Sequence, residues 1–247
     1  METMATSKSA RDAAARKRAA KEAAVARRRA ARRRRRMLLG IGLAGAAVAV
    51  MVWVFAAVGG SDNAASPSGE ENPAVPAPSL AQSRLWDVTM ETNMGTLEMS
   101  LDGVDAPQAV ASFVSLADQG FFDATDCHRL TTSGIFVVQC GDPTGTGTGG
   151  PPYRFGPIEN APSDNLYPAG TLAMARQPGD ASSMGSQFFI VYEDSTIPSD
   201  GAGGYTVFGT VTQGLDIVRS IANGGTITGD ADGRPALSVI ITKVTAS

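Results

Sequence analysis

An uncharged run of 24 residues, Met37–Gly60, separates two parts of the chain that differ sharply in charge. Residues 1–36 hold fourteen Lys or Arg against Glu2, Asp12 and Glu22, a net of +11. The whole chain carries −3, so residues 37–247 carry −14. As a helix, Met37–Gly59 would reach about 34 Å, enough to cross a hydrocarbon core of about 30 Å. A cleaved signal peptide normally has a shorter apolar region, so the pattern favours an uncleaved signal-anchor, a single transmembrane helix at 37–59. The basic run "RRRAARRRRR" on one flank and the acidic part on the other predict a cytoplasmic amino end and an extracytoplasmic remainder at the cell membrane. No aromatic residue interleaves the basic tail, so contact with anionic lipid is expected there rather than specific nucleic-acid binding.

Residues 60–84 are rich in Pro, Ser, Ala, Gly and Asn, too poor in large apolar groups to offset the entropy of folding, and are expected to form a disordered tether. The folded domain is then residues 85–247, a normal size for one domain. Val88, Met90 and Thr92 alternate before the turn Asn93-Met94-Gly95, and Leu97, Met99 and Leu101 alternate after it, which predicts a β-hairpin. Asp105 is placed to cap a helix with Pro107 in its first turn, a stripe of Val110, Phe113, Val114 and Ala117, and Gly120 at its end. Further strands are expected at 127–131, 136–140, 170–176, 187–192, 205–211 and 238–244, with a second helix around Leu215, Val218 and Ile221. Many short strands with two helices predict a mainly β domain, a closed antiparallel barrel rather than a βαβ fold.

Several chemistries are excluded by what the chain lacks. "GTGTGG", Gly145–Gly150, satisfies a dinucleotide-binding spacing, but Pro151-Pro152 follow where a helix would have to begin, so a surface loop is expected. The chain has one histidine, His128, and no GxSxG elbow for a serine triad. One histidine and two cysteines match no zinc-ligand spacing. A hydrogen-bonded structural role is expected for His128. An extracytoplasmic compartment favours a disulfide between Cys127 and Cys140, whereas strict alternation in a hairpin would put them on opposite faces; the sequence leaves the pairing open.

The remaining motifs converge. "HRL…FVVQCGDPTGTG", "LAMA…GSQFFI", "VFGTV" and "DAPQAVASFVSLA" occur in order between Val88 and Thr245. Together they resemble the cyclophilin family of peptidyl-prolyl cis–trans isomerases, in its prokaryote-type form. The resemblance implies an eight-stranded closed antiparallel barrel capped by two α-helices, with an active groove on its outer wall. It implies catalytic roles for Arg129, Phe136, Gln139 and Phe189: the arginine acting on the substrate, the phenylalanines walling a proline pocket, and Gln139 helping to hold the arginine. Val137 stands where the family commonly has methionine, and Ala175-Arg176 where it has an Ala-Asn edge that pairs with the peptide. Gln187 resembles another groove residue. Ile197 and Tyr205 occupy positions where eukaryotic members usually have tryptophan and histidine, and the loop between them, "PSDGAGG", is longer. No cofactor and no metal are implied. The expected partners are proline-containing polypeptides among exported proteins, met by a monomer, and the rival expectation is a binding module with the same groove and little activity.

Those residue types suit rotation about an Xaa-Pro bond. Amide conjugation sets a barrier of about 18–20 kcal/mol, and uncatalysed isomerisation takes tens to hundreds of seconds. In the twisted transition state the proline nitrogen loses conjugation and becomes a better acceptor. A fixed guanidinium that meets it there stabilises the transition state more than either ground state. No covalent bond forms or breaks, so no nucleophile is needed.

Overall fold

The computed structural model describes residues 74–247. The transmembrane helix expected at Met37–Gly59 lies outside the described residues, and among the described residues no helix is long and apolar enough to cross a membrane. Ordered structure begins earlier than Leu85. A 3-10 turn, Pro78–Ala81, buries Ala81 completely, and the Trp86 indole donates to the Ala81 carbonyl at 2.9 Å. The C-terminal end of the expected tether therefore belongs to the folded domain.

The strands are β1 (Leu85–Thr92), β2 (Gly95–Asp102), β3 (Thr125–Asp126), β4 (Arg129–Ser133), β5 (Ile135–Cys140), β6 (Leu166–Tyr167), β7 (Thr171–Met174), β8 (Phe188–Val191), β9 (Ser195–Thr196), β10 (Val207–Gln213), β11 (Asp232–Gly233) and β12 (Ile240–Ala246). The helices are α1 (Pro107–Asp118) and α2 (Leu215–Asn223). The β1–β2 hairpin forms with Thr92 opposite Gly95. Its turn requires glycine: Gly95 has φ +134°, and a Cβ there would lie 2.6 Å from Ile217 Cδ1 on α2.

The closed eight-stranded barrel is overturned. Ten strands form one curled, open sheet in the order β11-β4-β5-β8-β7-β10-β2-β1-β12-β3, and β6 pairs with β9 in a separate ribbon. All ladders are antiparallel. The physical reason is local to residues 125–133. The free edge of β4 is taken by β11, with Asp232 opposite Thr131, while β12 pairs with β3 one step earlier on the same chain segment. Between β3 and β4, Cys127 and His128 leave the strand; their amides donate to Val239 and Gln139 carbonyls.

That break also decides the cysteines. Cys127 and Cys140 are joined in a disulfide and both are buried. Perfect alternation would have separated them, but Cys127 lies outside the ladder and turns into the core.

Two apolar clusters lie on opposite faces of the sheet. The larger gathers Val88, Met90, Leu97, Met99 and Leu101 with both helices. In it Phe113 of α1 stacks on Phe122 at 4.8 Å and meets Phe188 and Phe208 edgewise or tilted at 5.5 Å. Asp105 does not cap α1: the N-cap is Ala106, and the Glu159 carboxylate from a distant loop accepts the Gln108 and Ala109 amides at 3.0 Å each. The smaller cluster, Val137, Tyr167, Ala173, Phe189, Val191 and Ile197, covers the outer face of β5, β7 and β8. Strands β7 and β8 are consequently buried at every residue.

The disulfide closes a short loop, 13 residues apart in sequence, beside the site-bearing strands. Replacing both cysteines with alanine should lower stability by about 2–3 kcal/mol through loop-closure entropy. Urea unfolding of the variant against the oxidised protein measures this, and an unchanged midpoint would contradict it.

Candidate active site

Strands β4, β5 and β8, with the segments that follow β7 and precede β10, bring their side chains to the outer face of the sheet. There Arg129, Ile135, Val137, Gln139, Ala175, Arg176, Phe189, Ile197 and Tyr205 enclose a cavity of about 80 Å³. Its floor is apolar, and the Tyr205 ring meets Phe189 edge-on at 5.5 Å. Arg129 stands directly across the ladder from Gln139.

The arginine is held from two sides. Its Nε and Nη2 donate to the two carboxylate oxygens of Asp232 at 2.8 and 2.7 Å, and its Nη1 donates to Gln139 Oε1 at 3.3 Å. This fork geometry fixes the plane of the guanidinium. The hydrogen bonds and charge of Arg129 hold the Asp232 carboxyl below its usual range against a smaller opposing effect of burial. The same Asp232 hydrogen bonds raise the guanidinium pKa, so its charge is permanent.

Behind Gln139 the support continues inward. Gln139 Nε2 donates to Gln187 Oε1 at 2.8 Å, and Gln187 Nε2 donates to the Gly149 carbonyl at 2.9 Å. Gly149 lies in the glycine-threonine loop, which is wrapped around one carboxylate. Buried Asp142 accepts the amides of Thr144, Thr146, Gly147 and Gly149 and the Thr144 hydroxyl. Burial alone would raise this carboxyl, but the Thr144 hydroxyl and the surrounding amides outweigh it and hold it far below the ordinary range. Gly149 must be glycine, since a Cβ there would collide with Asp142 Oδ1. The loop that resembles a nucleotide motif is therefore a brace for the site.

Most of the expected site residues meet here, with two differences. Phe136 does not line the cavity; it faces the other side of the sheet, packs against the main core and meets Tyr192 at 5.9 Å. Its place is taken by Ile135, because Ile135, Val137 and Gln139 share one face of β5 at period two. Gln187 lies behind the cavity as a support and lines a neighbouring cavity of about 270 Å³ together with Thr148, Arg154, Ala175, Arg176 and Ser183. Asp232 is not among the residues that the sequence motifs point to. It lies 103 positions from Arg129, and no local pattern marks it.

The comparisons with known proteins agree with this geometry. Residues 87–246 match the family described as cyclophilin type peptidyl-prolyl cis-trans isomerase/CLD. The chain belongs to the cyclophilin family. It is 48% identical over 169 residues to "Probable peptidyl-prolyl cis-trans isomerase B" of Mycobacterium tuberculosis, covering 64% of this chain and 53% of that protein. It is 42% identical over 128 residues to peptidyl-prolyl cis-trans isomerase B of Bacillus subtilis, covering 52% of this chain and 84% of the relative. The chain thus spans about half the length of the mycobacterial relatives it matches. A crystal structure of a Cryptosporidium parvum cyclophilin type isomerase, solved in the presence of the dipeptide Ala-Pro, superposes with a TM-score of 0.55 at 30% identity, covering 65% of this chain and 98% of that one.

His128 adjoins this cyclophilin site without taking part in it. Both ring nitrogens are buried without a hydrogen-bond partner, which corrects the expectation of a hydrogen-bonded role. Burial lowers its pKa below 6.5; nearby Asp142 opposes the shift, and Arg234 and Arg129 reinforce it.

Two predictions follow from these contacts. Asp232→Ala releases two of the three bonds that orient Arg129 and should lower the turnover of a proline substrate several-fold, roughly the effect of about 1 kcal/mol, without changing the melting temperature by more than a degree or two. Turnover equal to that of the unmodified protein would remove Asp232 from the site. For His128, the folded pKa lies below the unfolded value, so the folded state is favoured fully above pH 6.5 and loses stability as pH falls below it. Unfolding free energy should drop between pH 7.5 and 5.5 in the natural protein, and His128→Gln should flatten that segment.

Proposed function

We propose that the protein is a peptidyl-prolyl cis–trans isomerase that acts on Xaa-Pro bonds without covalent chemistry. One observation carries the reading: a permanently charged guanidinium, fixed in plane by Asp232 and Gln139, stands at the rim of a cavity with an apolar floor, sized for a small ring. Phe189, Val137, Ile135, Ile197 and Tyr205 would grip the proline ring and exclude water from it. With the ring held, the preceding carbonyl is the part free to swing. Arg129 then meets the proline nitrogen as it pyramidalises, when its lone pair is most available. An acceleration of roughly 10⁵-fold requires a preference of about 7 kcal/mol for the twisted state. The pinned arginine supplies part of this without reorganising, since its orientation is set before substrate arrives.

The setting is also part of the proposal. We infer that the substrates are exported proteins, met on the outer side of a membrane. A buried disulfide in a small domain suits an oxidising compartment. The charge asymmetry around residues 37–59 points the same way.

The test is direct. The purified protein should speed relaxation of a short Xaa-Pro peptide in a protease-free assay. Arg129→Ala should lower kcat/KM at least about tenfold, a loss of about 1.4 kcal/mol, with the circular dichroism spectrum unchanged. Peptide binding without any turnover by the natural protein would instead favour a proline-binding module. An Arg129→Ala variant as fast as the natural protein would remove the arginine from the mechanism.

A further inference from the structure

Arg176 was expected to touch the substrate, because it follows Ala175 at the edge of the groove. The structure leaves its guanidinium no free donor for substrate, although the residue still lines the cavity. Its side chain is 1% exposed, and a guanidinium has five N–H donors. Nε donates to the Gly204 carbonyl at 2.9 Å. Nη1 donates to the Gln177 carbonyl at 3.1 Å and to Asp200 Oδ2 at 3.0 Å. Nη2 donates to Asp200 Oδ1 at 2.9 Å and to the Gly203 carbonyl at 2.6 Å. Five donors meet five acceptors, and four of the acceptors belong to residues 200–204.

Those residues belong to the loop Pro198–Gly204, which the resemblance implies is longer than in eukaryotic members. Asp200 and Gly203 bond to each other through both backbone pairs at 3.0 Å, which closes the loop on itself. The Asp200 carboxylate also accepts the Gly179 and Ala202 amides, so a single group joins the turn after β7 to the loop tip. The Arg176 guanidinium carbon lies 4.7 Å from the centroid of the Tyr205 ring, within cation–π range. On its other side Tyr205 donates its amide to the Tyr167 hydroxyl at 2.8 Å and meets Phe189 edgewise. Arg176 and Ala175 line both the proline cavity and the larger cavity beside it, so the same residues form the partition between the two.

We propose that Arg176 and Asp200 form a clasp that fixes the loop Pro198–Gly204 and the Tyr205 ring against the proline cavity, making both positioning residues for substrate binding. The inference rests on the reading of this cavity as the proline site. It assigns the clasp to affinity and not to the rotation step, because Arg176 has every donor occupied and Asp200 lies outside the cavity lining. Charge alone is insufficient: a lysine at 176 could approach Asp200 but could not span the Gly203 and Gly204 carbonyls at the same time.

The test measures the dissociation constant of a proline peptide by NMR titration, alongside isomerisation rates, for the natural protein, Arg176→Lys and Asp200→Asn. Each variant should weaken peptide binding about tenfold, equivalent to about 1.4 kcal/mol, while the exchange rate at peptide saturation changes less than twofold. A folded Arg176→Lys variant that binds as tightly as the natural protein overturns the proposal, as does one that loses turnover at unchanged affinity. Should the natural protein bind the peptide and not isomerise it, the isomerase reading fails while the affinity comparison still tests the clasp. A second measurement needs no variant. Amide hydrogen exchange at Ala202 and Gly203 in the natural protein should be slow before peptide is added and equally slow after. Protection that appears only with peptide would mean that substrate, and not the clasp, orders the loop.

Discussion

Burial on both faces of β5, β7 and β8 is the constraint from which the site follows. A curled sheet ordinarily has one covered face and one wet one. Here the inner face packs on α1 and α2, and the outer face packs on Tyr167, Ile197 and the segments around them. The outer cluster is too small to be a second core, yet large enough to form the apolar floor of the cavity. Side chains projecting from doubly buried strands have little freedom, so Val137 and Phe189 hold their places without further support.

The polar side of the site is held differently, by hydrogen bonds relayed through the chain. Asp142 gathers the glycine-threonine loop, Gly149 holds Gln187, Gln187 holds Gln139, and Gln139 reaches Arg129. Asp232 closes the relay from the opposite side. Each carboxylate in the scheme is paired or saturated with donors, which makes it tolerable near an apolar cavity. The two arginines at the cavity have different duties for the same reason. Arg129 is partly open to solvent and keeps an edge for substrate, whereas the Arg176 side chain is buried with all its donors occupied.

Much of this was legible in the residues. The β1–β2 hairpin, both helices and the strands carrying the site were visible in period-two and helical patterns, and eight of the ten proposed site residues do line the cavity. The misses have physical causes. Phe136 belongs to the motif that carries the resemblance, while alternation along β5 selects Ile135, whose smaller side chain carries no recognisable signature. The barrel was expected to close, but two residues, Cys127 and His128, interrupt the strand that would have closed it, and β11 occupies the remaining edge. Glu159, and not Asp105, serves α1, from about fifty residues away.

By itself the chain determined which residues are apolar at which period, where glycine and proline force turns, and which few polar groups are available for chemistry. Those are local properties, set by side-chain size, backbone freedom and spacing. Tertiary structure alone decided which carboxylate orients which arginine, whether two cysteines out of phase can meet, and whether Arg176 faces substrate or a loop. Each of these depends on distances between segments up to 103 positions apart, and such distances come from the packing of the whole domain.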